Sequence, residues 1–290
     1  MGWIAAHART LTAALLALAL AACGGGGSGT TPPTSSAPAS PEPTVASLEG
    51  SFVVNGFGGH GLYLSCRGTG SPTVVYLHDS VAAGAGSAPR KAGTAFASIV
   101  EDDQRVCLYD RRGVGDSDRV TGPQTPADAL ADLQGLLKKA DIGGPYVLVG
   151  SGFGGLLAYL YANGHRRAVT GLVLLDSPFP GQAGTEALQA ASGSDETDSP
   201  EHLSRYETLR AAQRYAGREP RIPLVYLTST AGTGTTSSTP ATTADVRAVA
   251  RRAAFVKRFR PGSLIPVAAA RPLETTAPKR VADAVRAVSD

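Results

Sequence analysis

Residues 145–164 constrain the fold more than any other stretch of this chain. Pro145-Tyr146-Val147-Leu148-Val149-Gly150 is an apolar run of strand length, and residues 153–163 continue as an apolar-rich helix. Between them, Gly150-Ser151-Gly152-Phe153-Gly154-Gly155 packs the strand-to-helix turn with glycine. The framework is G-x-S-x-G, in which a buried strand turns sharply into a helix and holds the middle residue out at the tip. Gly150 and Gly154 fix the register, and that register places Gly152 at the tip. A tip residue sits at positive φ, a strained conformation that Gly adopts freely. Exchanging Ser for Gly therefore keeps the turn and deletes the hydroxyl.

The neighbouring segments decide whether that register is meaningful, because a glycine-rich turn alone would equally suit a phosphate loop. Upstream, Thr73-Val74-Val75-Tyr76-Leu77-His78 reads as a second buried strand, and Val106-Cys107-Leu108-Tyr109-Asp110 runs into Arg111-Arg112-Gly113-Val114-Gly115-Asp116-Ser117-Asp118. In this order the motifs resemble the α/β-hydrolase superfamily, with its strand ending in His-Gly, its D-R-x-G-x-G-x-S segment and its G-H-S-x-G-G elbow. The resemblance covers roughly residues 50–290. It implies an α/β fold with a mostly parallel, twisted sheet flanked by helices, and a small polar cap inserted at about 178–220.

The family order also says where the other catalytic groups should fall. After the strand Ile222-Pro223-Leu224-Val225-Tyr226-Leu227 an acid is expected, yet Thr228 to Ala244 holds no carboxylate. The His position, between the strand Leu264-Ile265-Pro266-Val267-Ala268 and the helix opened by Pro278, falls on Arg271, and no His follows His202. His78-Asp79 stands where His-Gly is usual, and a carboxylate beside a developing oxyanion opposes it electrostatically. Three residues are candidate substitutes for the missing groups. Ser151 is one residue early, which redirects its side chain; Ser80 lies on the oxyanion loop; Asp176, ending the strand Leu172-Val173-Leu174-Leu175, is an alternative acid with no His to orient.

The functional expectation is a catalytically degenerate hydrolase domain that binds a small, anionic ligand or serves as a scaffold, with no cofactor and no metal. The ligand site would use Asp79, Ser80, Gly152, Phe153 and Arg271, the helix start offering N–H groups and Arg271 a bidentate guanidinium. Pairing of Asp79 with Arg271 would instead plug the cavity. The alternative function is an active esterase-like or peptidase-like hydrolase with displaced catalytic residues.

The first twenty-three residues indicate the compartment. Arg9 gives a weakly positive start, Leu11 to Ala22 are apolar but too few to span a bilayer, and Leu20-Ala21-Ala22-Cys23 resembles a bacterial lipobox. The expected layout is a signal peptide over 1–22, a lipidated Cys23 with a Gly/Ser/Thr/Pro tether over 23–47, and the domain over 48–290. Acyl chains on Cys23 would then anchor the protein to membrane lipid on the extracytoplasmic side. Export gives Cys66 and Cys107 a meaning, since the resemblance places their strands side by side and an oxidising compartment lets them pair; two buried thiols are the other reading. Ala244 to Phe259 reads as a basic helix. A net charge of +3 over 290 residues gives no reason to expect nucleic acid.

Overall fold

The computed structural model describes residues 47–54, 59–81, 88–182, 199–231 and 243–290. Cys23, the tether before 47, the cap segment 183–198 and the low-complexity stretch 232–242 lie outside the described residues. The eight strands are β1 (Leu48–Val54), β2 (His60–Arg67), β3 (Thr73–Leu77), β4 (Val106–Tyr109), β5 (Tyr146–Ser151), β6 (Val169–Leu175), β7 (Leu224–Ser229) and β8 (Gly262–Val267). They form one sheet in the order β1-β2-β4-β3-β5-β6-β7-β8. The first three of these pair antiparallel, and every pair from β4 to β8 is parallel.

Parallel central strands covered on both faces read as continuous apolar runs, which is why β3 and β5 stand out in the sequence. On β5, Tyr146 and Leu148 face one apolar layer and Val147 and Val149 the other. The first layer contains α2 (Pro126–Lys139) and α3 (Gly152–Gly164), joined by Phe255 of α5 (Thr243–Val256); the second contains α1 (Thr94–Val100) and α7 (Pro278–Ser289). Helix α2 starts where its sequence says it should. Thr125 and Asp128 form a reciprocal capping box with Pro126 at the first helical position. Helix α4 (Arg205–Gln213) belongs to the cap region, and α6 (Leu273–Thr276) is a single turn before α7.

The antiparallel register sets Cys66 directly opposite Cys107, and the two form a disulfide across 41 residues of chain. Helix α5 ends at Val256, earlier than the sequence suggests, so Lys257 and Arg258 belong to the turn entering β8. Because β3 to β8 run in one direction, the residues following each strand gather along one edge of the sheet. That edge holds the elbow.

Candidate functional site

Gly152 closes β5 and opens α3 with φ of +48°, the left-handed conformation that a Cβ would strain. The tip is pressed onto the end of β3, since a Cβ on Gly154 would overlap the carbonyls of Leu77 and His78. Into the remaining space projects the side chain of Asp79. A Cβ added to Gly152 would overlap the carboxyl carbon and both oxygens of Asp79. The Phe153 N–H donates to Asp79 Oδ1 at 2.7 Å, and the Ser80 N–H donates to the same oxygen at 2.7 Å. One N–H comes from the residue after the elbow tip and one from the loop after β3, which are the two places that supply oxyanion donors in an elbow of this type. A carboxylate oxygen from the chain itself is therefore seated between them, at the positive end of α3.

Asp79 is held there through its backbone. Arg111, buried after β4, donates from Nη1 to the His78 carbonyl at 2.7 Å and from Nη2 to the Asp79 carbonyl at 3.0 Å. The same guanidinium grips Glu201 in bidentate fashion, Nε to Oε2 at 2.7 Å and Nη2 to Oε1 at 2.9 Å. Burial opposes the charge on Arg111, but Glu201 outweighs it and the guanidinium stays firmly protonated. His78 lies wholly inside, between the Asp79 carbonyl at 2.6 Å from Nδ1 and the Arg111 N–H at 3.3 Å from Nε2. Burial, with Arg111 beside it, holds its imidazole well below the ordinary histidine range, so it is neutral. Asp110 next door is buried and accepts from the Arg90 guanidinium, from the Arg90 N–H at 3.1 Å and from the Asp116 N–H at 3.1 Å. The D-R-R-G segment is thus a brace for the loop that carries Asp79.

Arg271 lies elsewhere than beside Asp79. Its Nη2 donates to Asp176 Oδ1 at 3.2 Å, and Asp176 also accepts from the Ser229 N–H at 3.0 Å and the Thr228 hydroxyl at 3.2 Å. The plug of Asp79 against Arg271 is corrected accordingly, and Asp176, expected to have nothing to orient, has a cation. The reason is register: Leu175 lies opposite Leu227 and Ser229 opposite Val267, so the ends of β6, β7 and β8 converge. Asp176 accepts this placement at φ of +46°, a rare conformation for a non-glycine residue. The Arg271 side chain is 58% exposed, so the pair adds little to stability.

Ser151 is buried as the last residue of β5, away from the tip. Ser80 accepts from Arg205 Nη2 at 2.8 Å, and the Arg205 guanidinium also lies over the Phe153 ring at 5.7 Å from its centroid. Arg205 comes from α4, and no periodicity or motif in the sequence signals it. The histidines have other partners: His60 meets Asp132 at 2.9 Å and His165 the Tyr161 carbonyl at 3.1 Å, so among the described residues no imidazole bonds a seryl hydroxyl. Beneath the elbow, Glu274 of α6 is buried and accepts from the Tyr76 hydroxyl at 2.7 Å through Oε1, with the Ser151 side chain also close enough to favour its charged form. Burial raises its carboxyl above the usual range. Among the described residues no three His, Cys, Asp or Glu side chains are grouped to hold a metal, and no helix is long and apolar enough to cross a membrane.

Comparison with known proteins agrees with this architecture. A model of the alpha/beta hydrolase family matches residues 52–286, and the chain belongs to that family. Two curated relatives are both uncharacterised. One, from Schizosaccharomyces pombe, is 40% identical over 75 residues, which is 26% of this chain and 14% of that protein. The other, YqjL of Bacillus subtilis, is 28% identical over 131 residues, covering 45% of this chain and 49% of the relative. The chain thus matches less than half the length of each. Among solved structures, a thermophilic esterase from Thermogutta terrifontis aligns with a TM-score of 0.54 at 19% identity, over 83% of this chain and 97% of that one. An enol-lactonase from Burkholderia xenovorans aligns at 0.55 and 17% identity, over 82% and 98%. At such identities the likeness is one of fold.

Proposed function

We propose that this chain is a lipid-anchored cell-envelope protein whose α/β-hydrolase domain works by binding or scaffolding and not by serine hydrolysis. One observation carries the reading: the carboxylate of Asp79 fills the space at Gly152 where a nucleophile's side chain would project, and takes the N–H groups of Phe153 and Ser80. Acyl transfer needs a nucleophile, a base to take its proton and empty donors for the oxyanion. Here the tip has no side chain, the family's His position carries Arg271, whose guanidinium offers donors and no acceptor for a proton, and the donors already hold an anion. A small carboxylate or phosphate ligand would have to compete with Asp79 for the same two N–H groups, and the Arg205 guanidinium beside Ser80 would favour it.

The test is covalent labelling of the purified full chain with a fluorophosphonate, together with turnover of short-chain p-nitrophenyl esters. No label and no turnover above a heat-inactivated control are expected. Gly152→Ser alone should stay silent, because its new Cβ meets Asp79. Labelling of wild-type protein at Ser80 or Ser151, with esterase activity abolished by Ser80→Ala or Ser151→Ala, would overturn the proposal in favour of an active hydrolase. The anchor is tested separately. Cys23→Ala should release the protein from the membrane fraction, and an N-terminal peptide without acyl mass in the wild type would remove that part of the reading.

A further inference from the structure

The edge of the sheet opposite the elbow carries a different message. Three loops enter β6, β7 and β8 there, spanning 165–168, 214–223 and 257–261. Together they contain eight Lys or Arg residues and one acid, Glu219. Because the three strands are adjacent and parallel, the loops are neighbours in space. The Arg260 N–H donates to the Ile222 carbonyl at 3.3 Å, the Leu172 N–H to the Pro223 carbonyl at 3.0 Å, and the Arg166 guanidinium to the Arg218 carbonyl. The single acid is already engaged, since Glu219 pairs with Arg258 at 3.1 Å while its own side chain is 3% exposed. Arg167, Arg214, Arg221, Lys257 and Arg260 are exposed and have no side-chain partner among the described residues.

We propose that this N-terminal edge of β6, β7 and β8 is a docking face for an anionic phospholipid surface. Charge complementarity argues for it: cations at neighbouring strand ends, about 4.8 Å apart from strand to strand, form a positive band in which Glu219 is already paired, the next acid along the edge being the exposed Asp141 before β5. Such a band is drawn to anionic headgroups, each cation near the surface contributing a several-fold gain in binding that salt screens. Docking by this edge turns the elbow edge, at the other ends of the same strands, away from the bilayer. The inference adds to the anchoring proposal and is tested without the acyl anchor, so either can fail alone.

The experiment uses the full chain carrying Cys23→Ala, sedimented with vesicles of phosphatidylglycerol and phosphatidylcholine or of phosphatidylcholine alone. Binding is expected to the anionic vesicles, to weaken steeply as salt rises, and to be absent from the neutral ones. Arg167→Glu, Arg221→Glu and Arg260→Glu combined should lower the partition coefficient by at least about a hundredfold, the loss of three cations alone accounting for that much, with an unchanged melting temperature. The same charge change made on the elbow edge, at Arg119, Lys279 and Arg280, should leave it within about threefold, because those charges lie beyond a Debye length from the docked surface. Equal losses in the two triple variants would reduce the effect to net charge and overturn the proposal. So would equal binding to neutral vesicles. A soluble acidic polysaccharide bound as tightly as the vesicles, and lost in the first triple variant, would overturn the lipid assignment and give the face to a polyanion.

Discussion

The two edges of this sheet treat charge in opposite ways. Along the elbow edge, ionic groups are answered from within the chain: Asp79 by two backbone N–H groups, Arg111 by Glu201, Asp110 by Arg90, Asp176 by Arg271. Along the opposite edge Arg167, Arg221, Lys257 and Arg260 stand in solvent without such partners among the described residues. For Arg111, Glu201, Arg90 and Asp110 the reason is burial. Arg111 and Glu201 are 4% and 2% exposed, and a charge so placed must be paired or the fold suffers. The exposed cations on the other edge keep their hydration and leave stability nearly untouched. The buried charges around the elbow thus form an internal network, and the exposed cations entering β6, β7 and β8 are left open to an outside partner.

The sharpest way to break this contrast is at Arg111. Arg111→Met strands Glu201 as a buried lone carboxylate and frees the carbonyls of His78 and Asp79. A loss of about 3–5 kcal/mol in urea unfolding is expected. A loss below about 1 kcal/mol would mean that the network contributes little and that the two edges do not differ in kind.

Next in size is Gly152→Ser, which forces a side chain into a positive-φ site and against Asp79. Strain of this sort is worth about 1–3 kcal/mol. Because part of it is the clash with Asp79, the same substitution made in an Asp79→Gly background should be milder. A coupling above about 0.5 kcal/mol in the double-mutant cycle is the expected signature of direct contact. Strict additivity would place Asp79 away from the tip.

Glu274 gives the edge a pH dependence with a definite sign. Its folded-state carboxyl is raised by burial, so the folded protein holds that proton more tightly than the unfolded chain does. The stability it confers is complete below the ordinary glutamate value of 4.5 and is lost as pH rises through the raised folded one. Each unit of that rise is worth about 1.4 kcal/mol. Glu274→Gln, which still accepts from the Tyr76 hydroxyl, has no proton to lose. Relative to wild type it should therefore gain stability between pH 4.5 and pH 7 in paired urea titrations. A difference that does not change with pH would show that Glu274 ionises freely.

How much of this was legible in the sequence follows from how local each feature is. The elbow register, β3 and β5 could be read because strands buried on both faces have no polar alternation to confuse them, and because the turn is written in glycines a few residues apart. Cys66 and Cys107 could be related once the sheet order was known, since that order alone decides which strands touch. The destination of Asp79 was not legible, although its replacement of the usual Gly was. Its backbone is fixed by Arg111 and Glu201, 90 residues apart in the chain. Arg271 was sought beside Asp79 and lies beside Asp176, because the convergence of β6, β7 and β8 depends on register rather than on spacing. The basic edge is not legible in the sequence, where only the helix read over Ala244 to Phe259 stands out as basic. Its cations come from three separate loops, and only the parallel sheet brings them together.

That assembly yields the smallest expected effect. Arg221→Ser removes one exposed guanidinium from the entry to β7, where neither a hydrogen bond nor an ion pair involves its side chain among the described residues. Surface substitutions of this kind change stability by about 0.5 kcal/mol at most. Relieving repulsion from the neighbouring cations should make even the sign slightly favourable at low salt, with the gain vanishing as the Debye length shrinks toward 3 Å near 1 M salt. Thermal melts at low and high salt would read both. A destabilisation of 2 kcal/mol or more, insensitive to salt, would mean that Arg221 is part of a buried network like the one around Arg111, and the contrast between the two edges would fail on the side where it predicts nothing.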